Sequence, residues 1–151
     1  MENYEIERKF LIKDLPENLD DYDYLLIEQG YLSTNPVVRV RKSNDDYYLT
    51  YKSKGLMIKE EYNLPLTKES YDHLLQKADG NIITKRRYLI PYEKYTIELD
   101  IFVRPVPLIL AEVEFDSVEE ANNFIMPDWF EEDVTGNAEY SNSVMSRRKY
   151  K

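Results

Sequence analysis

Glu5-Ile6-Glu7-Arg8-Lys9-Phe10 is the stretch that decides how the rest of the chain is read. Taken as a β-strand, it turns Glu5, Glu7 and Lys9 to one face and Tyr4, Ile6 and Phe10 to the other, because successive side chains alternate. Two carboxylates on one face of one strand stand only about 7 Å apart, and they repel unless a cation or a basic partner lies between them. The same spacing recurs down the chain. Arg39 and Arg41, Lys52 and Lys54, and Lys85 and Arg87 are basic pairs, whereas Glu98 and Asp100, and Glu112 and Glu114, are acidic pairs. A sheet face that merely meets water mixes signs, since like charges on neighbouring positions are unfavourable. Here the signs are sorted strand by strand. The alternate positions are apolar (Val38 and Val40, Leu49 and Tyr51, Ile97, Leu99 and Ile101, Val113 and Phe115). Each strand therefore buries one side and carries charge on the other, which is either bathed in solvent or turned inward around something charged.

The chain has 151 residues, a length that one domain spanning 1–151 accommodates with a core that needs no covalent staples. It has no cysteine, which removes disulfides and thiolate metal sites. A formal net charge of -9 argues against a long nucleic acid as partner, because such binding rests on many basic contacts with phosphates. A small polyanion in a locally basic cavity remains open, since the local field governs a cleft. No basic segment followed by an apolar run opens the sequence, and no stretch approaches the length of a membrane span, so the expected setting is cytoplasmic, with no membrane.

In chain order the pattern predicts strands over Glu2–Lys13, Tyr24–Ser33, Val37–Lys42, Tyr47–Lys54, Met57–Leu64, Ile82–Ile90, Tyr95–Val103 and Leu108–Phe115. A helix is expected over Thr67–Gly80, with Thr67 as cap, Tyr71, Leu74, Leu75 and Ala78 as its apolar stripe and Gly80 as its end. Ser117-Val-Glu-Glu120 reads as a capping box opening a second helix that buries Val118, Ala121, Phe124 and Ile125. The tail from Pro127 reads as loop, then a short helix over Ser141–Ser146. His73 and Trp129 read as surface or packing residues. Eight strands and two or three helices favour a mostly β (α+β) fold, an eight-stranded antiparallel closed barrel with a charged lumen, because closure removes exposed edges. The apolar positions then face outward, where the helices cover part of them and a homodimer would cover more.

The charged pairs resemble, in order and over almost the whole chain, the CYTH family, or triphosphate tunnel metalloenzymes, in their compact bacterial form. The family's Glu-x-Glu-x-Lys is matched by Glu5, Glu7 and Lys9. The likeness continues through Gln29-Gly-Tyr-Leu32, Val38-Arg-Val-Arg41, Lys52-x-Lys54, Lys85-x-Arg87-Tyr, Glu98-x-Asp100, Ala111-Glu-Val-Glu114 and Asp133-Val-Thr-Gly136. The resemblance implies a tunnel binding a triphosphate and Mg2+ or Mn2+. Lys9, Arg39, Arg41, Lys52, Lys54, Lys85 and Arg87 then bind the phosphates, and Glu5, Glu7, Glu98, Asp100, Glu112 and Glu114 are the candidate metal ligands. Glu5, Glu7, Lys9, Glu98 and Asp100 are the candidate catalytic set. Lys59-Glu60-Glu61 departs from the family's pattern of alternating acids, with Glu61 the expected lumenal acid and Lys59 an unexpected neighbour. The implied reaction is hydrolysis of the terminal phosphate of inorganic tripolyphosphate by in-line attack of a metal-activated water. Adenylate cyclase and thiamine triphosphatase chemistry are alternatives on the same fold. A noncatalytic polyphosphate or nucleotide binder leaves the acids without a purpose, and a barrel with merely solvated charges leaves the sorted signs without one.

Overall fold

The structure is a computed structural model and describes residues 4–55 and 57–150; the expected start of the first strand at Glu2 lies outside them. Its strands are β1 (Tyr4–Ile12), β2 (Tyr24–Thr34), β3 (Val37–Ser43), β4 (Asp46–Lys52), β5 (Ile58–Pro65), β6 (Asp79–Tyr92), β7 (Tyr95–Arg104), β8 (Leu108–Phe115) and β9 (Phe130–Asp133). The helices are α1 (Lys68–Leu75), α2 (Val118–Asn123) and α3 (Asn142–Arg147). Two antiparallel meanders, β2-β3-β4-β5 and β6-β7-β8, join through β2–β6, and β1 closes the ring by pairing with β8 and β5. This is the closed eight-stranded antiparallel barrel that the alternation demands.

β1 changes partner along one edge. Tyr4–Ile6 pair with β5, whereas Phe10–Ile12 pair with the extra strand β9. Between them the wall is held by Glu7 N–H donating to Met57 O (3.2 Å) and Lys9 N–H donating to Thr135 Oγ1 (2.9 Å). The tail expected as loop thus contributes a strand: Phe130 packs on Phe10 with ring centroids 4.7 Å apart, and Trp129 stacks edge-on against Phe130.

The main apolar core lies outside the barrel wall. Phe10, Tyr88, Ile90, Ile97, Leu99, Val113 and Phe115 face outward and are covered by Ala121 of α2, Phe130 of β9 and the partly buried Phe124. The outer face around β5 stays open, with Ile58, Tyr62 and Leu64 exposed.

Helix ends differ from the sequence reading. Thr67 caps α1 as expected, its hydroxyl accepting from Ser70 N–H at 3.0 Å, but the helix stops at Leu75. Gly80 belongs to β6, not to a helix end. It is left-handed at φ +72, and a Cβ there would sit 2.0 Å from Ser146 O, so glycine is required by the close approach of α3. Ser117 does cap α2, yet α2 ends at Asn123, leaving Ile125 80% exposed and Val118 on the surface. Glu120 completes no box with Ser117; it accepts from Tyr95 Oη and pairs with Lys94.

Candidate active site in the tunnel

Strand alternation and register bring the sorted charges to one lumen. Glu7 lies opposite Glu114 and Lys9 opposite Glu112, while Glu98 lies opposite Glu112 and Arg87 opposite Asp100. Glu5, Glu7, Lys9, Arg39, Arg41, Lys52, Lys59, Glu61, Lys85, Arg87, Glu98 and Glu112 all line the central cavity. Glu114 stands at the rim of one opening together with Glu5, Glu61 and Glu98. Lys54 is not on the strand with Lys52, because β4 ends at Lys52; it is exposed at the rim of the other opening, near Lys52 and Lys59. Asp100 is fully buried in the wall behind the cavity.

Inside, ion pairing is uneven. Asp100 accepts from Arg87 Nε at 2.7 Å and Nη2 at 2.9 Å, and lies 2.9 Å from Lys85 Nζ, so its carboxylate is engaged by two cations. Arg87 also reaches Glu98 (3.4 Å) and Glu112 (3.3 Å). Lys52 sits 2.9 Å from Glu5 and 3.4 Å from Glu61, and Lys59 lies 3.9 Å from Glu7. Arg39 and Arg41 have no carboxylate partner among the described residues. Arg41 Nε donates to Gln29 Oε1 at 2.7 Å, Arg39 Nη2 to Thr50 Oγ1 at 3.3 Å, and the buried Arg39 Nε has no partner among the described residues. Buried guanidinium donors without acceptors are costly unless something arrives to accept from them.

The carboxylates feel each other. Burial, then the charges of Glu112 and Glu5, push the Glu7 carboxyl up to about 8. Burial, then Glu5, Glu98 and Glu61, push Glu114 up to about 7. Burial raises Asp100 and Glu112 too, but Arg87 and Lys85 acting on Asp100, and Lys9, Arg87 and Lys85 acting on Glu112, bring both below the ordinary range. Lys85 is pulled down to about 7 by burial against the opposing pull of Asp100, and Arg41 to about 10 by burial and by Arg39 and Arg87.

Several lumenal groups were not singled out from the sequence. Gln29 and Tyr31 belong to the Gln29-Gly-Tyr-Leu32 motif but carry no role there; they and Asn63, which falls in no motif, take lumenal strand positions by the same two-residue period as Ile27, Lys85 and Glu61. Asn142, Ser141 and Ser143 come from the tail, and nothing in their local pattern shows that they enter the lumen. The lumen is also not charged throughout. Tyr31, Ile83, Phe102, Leu110 and Met145 of α3 fill one end with an apolar plug.

Comparison with known proteins agrees with this geometry. The curated inorganic triphosphatase of Nitrosomonas europaea is 34% identical over 148 residues, covering 94% of this chain and 96% of its own. That of Acetivibrio thermocellus is 35% identical over 159 residues, with 97% and 96% covered. A crystal structure of an inorganic triphosphatase superposes with a TM-score of 0.71 at 33% identity, over 96% of this chain and 95% of that one. A Pyrococcus horikoshii protein shares the fold at a TM-score of 0.60 and 23% identity, over 78% of this chain and 83% of its own. The model of the CYTH domain matches residues 3–134, and the chain belongs to the CYTH family.

Proposed function

We propose that the chain is a divalent-metal-dependent inorganic triphosphatase. The observation that carries this reading is the pair of buried arginines, Arg39 and Arg41, left without a carboxylate among the described residues while Lys52, Lys85 and Arg87 in the same lumen each have one. Planar guanidinium forks with free donors suit phosphate oxygens, which they bind in bidentate fashion. Lys9, Lys52, Lys59, Lys85 and Arg87 surround the same space and add charge for a dense polyanion.

The metal fits the acids. Glu5, Glu7 and Glu112 offer hard oxygen donors, and the upward push on Glu7 from its two acidic neighbours is the excess charge that a cation relieves. Among the described residues no three acidic side chains already converge on a metal-sized site. Mg2+ and Mn2+ are commonly held by one or two carboxylates with the remaining positions taken by phosphate oxygens and water. Glu5 and Glu7, with Glu112 or Glu114 of β8, would hold the ion, and Glu98, beside Glu112 in register, would share in a second position. When bound, the metal supplies charge neutralisation and a water made more acidic for attack.

The remaining work falls to the chain's own residues. Arg39 and Arg41 grip phosphate oxygens and fix the polyanion in line. Asp100, whose oxygens are occupied by Arg87 and Lys85, acts as a positioning residue that holds these two cations toward the cavity. Lys9 lies beside Glu112 on the neighbouring strand β8 and stabilises charge gathering on the oxygens, the electrostatic contribution that preorganised donors supply. Phosphate release from tripolyphosphate with Mg2+ or Mn2+, run beside cyclic AMP formation from ATP and phosphate release from thiamine triphosphate, tests the substrate. Turnover of tripolyphosphate is expected; binding without hydrolysis across a full metal titration would show a polyanion receptor instead.

A further inference from the structure

The family match ends at residue 134, yet the tail beyond it reaches into the lumen. Asn142, the first residue of α3, accepts with one oxygen from Lys85 Nζ at 3.0 Å and from Gln29 Nε2 at 3.1 Å. Gln29, fully buried, accepts with its own oxygen from Arg41 Nε at 2.7 Å. The arginine Nε can only donate and so takes the oxygen of Gln29; the amide nitrogen of Gln29 is thereby turned to Asn142 and takes its oxygen, which fixes both amide orientations. The result is one continuous path, Arg41 to Gln29 to Asn142 to Lys85 to Asp100, that crosses from β3 to β7 through a tail residue.

We propose that Asn142 is a positioning residue for phosphate binding: its side-chain carbonyl sets Lys85 directly, and Arg41 through Gln29, at the two flanks of the path a triphosphate takes. An ammonium has three donors. Asp100 and Asn142 take two of those on Lys85, and the third is left for a phosphate oxygen. A flexible lysine becomes a directed one. The tail is seated firmly enough for this. Ser141 Oγ caps α3 by accepting from Val144 N–H at 3.1 Å, Met145 and Ser146 are buried, and Asn81 Nδ2 donates to Met145 O at 2.9 Å and Arg148 O at 2.7 Å. The same tail holds a third cation, because Lys9 Nζ donates to Tyr140 O at 2.9 Å.

This inference rests on the triphosphate reading, and a double-mutant cycle separates the two. Tripolyphosphate affinity is measured calorimetrically without added metal, and turnover with Mg2+, for the native chain, Asn142→Ala, Asn142→Leu, Lys85→Met and the doubles. Loss of a hydrogen bond to a charged group predicts roughly 10- to 100-fold weaker binding for either Asn142 variant. Leucine has the branched heavy-atom outline of asparagine and is bulkier, so it leaves no cavity, and equal losses in both variants report the missing acceptor. Combined with Lys85→Met, either variant is expected to add clearly less than it costs alone, because one of the two cations it acts through is already gone and only the arm through Gln29 to Arg41 remains. Additive losses, or unchanged affinity in both single variants, overturn the role of Asn142 while leaving the substrate intact. A native chain that neither binds nor hydrolyses tripolyphosphate overturns the substrate reading and this inference together.

Discussion

Glu7 is pressed by two acidic neighbours in a buried place, and its titration has a consequence for stability in the absence of metal. Below its ordinary value of 4.5 the carboxyl is protonated in both folded and unfolded chains. Between 4.5 and about 8 the folded chain keeps a proton that the unfolded chain has released, so stability falls as pH rises through that window. Glu7→Gln removes this slope. The variant is expected to melt with the native chain near pH 4.5 and above it at pH 8, by on the order of 2 kcal/mol, while phosphate release from tripolyphosphate is lost. Thermal melting across the window, with turnover at one pH, checks both halves; an unchanged slope with full turnover would remove Glu7 from the site. Residues such as Glu7 were legible because a charge at every second position of an apolar strand announces its face. Gln29 was visible only as part of a motif with no role attached, and Asn142 not at all, since a neutral amide carries no such mark and becomes informative only when its partners are seen.

Elements read from alternation were placed well, and those that depend on what packs over them were not. β8 is found at its expected bounds, whereas β9 pairs only because Phe130 finds Phe10 across the chain, a distant contact that local pattern does not encode. The stripe assigned to α2 overran because Ile125 follows helical spacing without having anything to bury against. Gly80 misled for a physical reason: left-handed glycine ends many helices, but here it makes room for the carbonyl of Ser146. Gly80→Ala is therefore expected to destabilise the fold by about 1–3 kcal/mol, from backbone strain and the forced shift of α3. Because α3 carries Asn142, tripolyphosphate affinity should fall with it. Melting and calorimetry on this variant check the link; weakened folding with native affinity would show that α3 stays seated.

At the scale of the molecule, the tunnel has two unlike openings. One is lined by Glu5, Glu61, Glu98 and Glu114 with Arg39, Arg41 and Arg87 among them, the other by Lys9, Lys52, Lys54 and Lys59 with Glu7. The charges of the first nearly balance while the second carries a clear positive excess and steers a polyanion, a rate effect that salt screens. Lys54 is exposed at the lysine-rimmed opening and engages no carboxylate among the described residues. Lys54→Gln should lower kcat/KM for tripolyphosphate roughly two- to fivefold at low ionic strength and much less in high salt, with kcat little changed. Asp116→Asn, outside the opposite rim, should leave kcat/KM nearly unaltered, and equal effects of the two changes would rule out entry by the lysine side.

The partner switch of β1 ties occupancy to integrity. Three residue pairs between β1 and β5 are the weld that turns two meanders into a tube, and Glu5 of that weld faces the same interior as Arg39 and Arg41 on the opposite meander. A guest bridging those groups fastens the joint from within. Filling the tube should then raise its melting temperature in step with the logarithm of guest concentration, and amides along β5 should gain the most protection from hydrogen exchange.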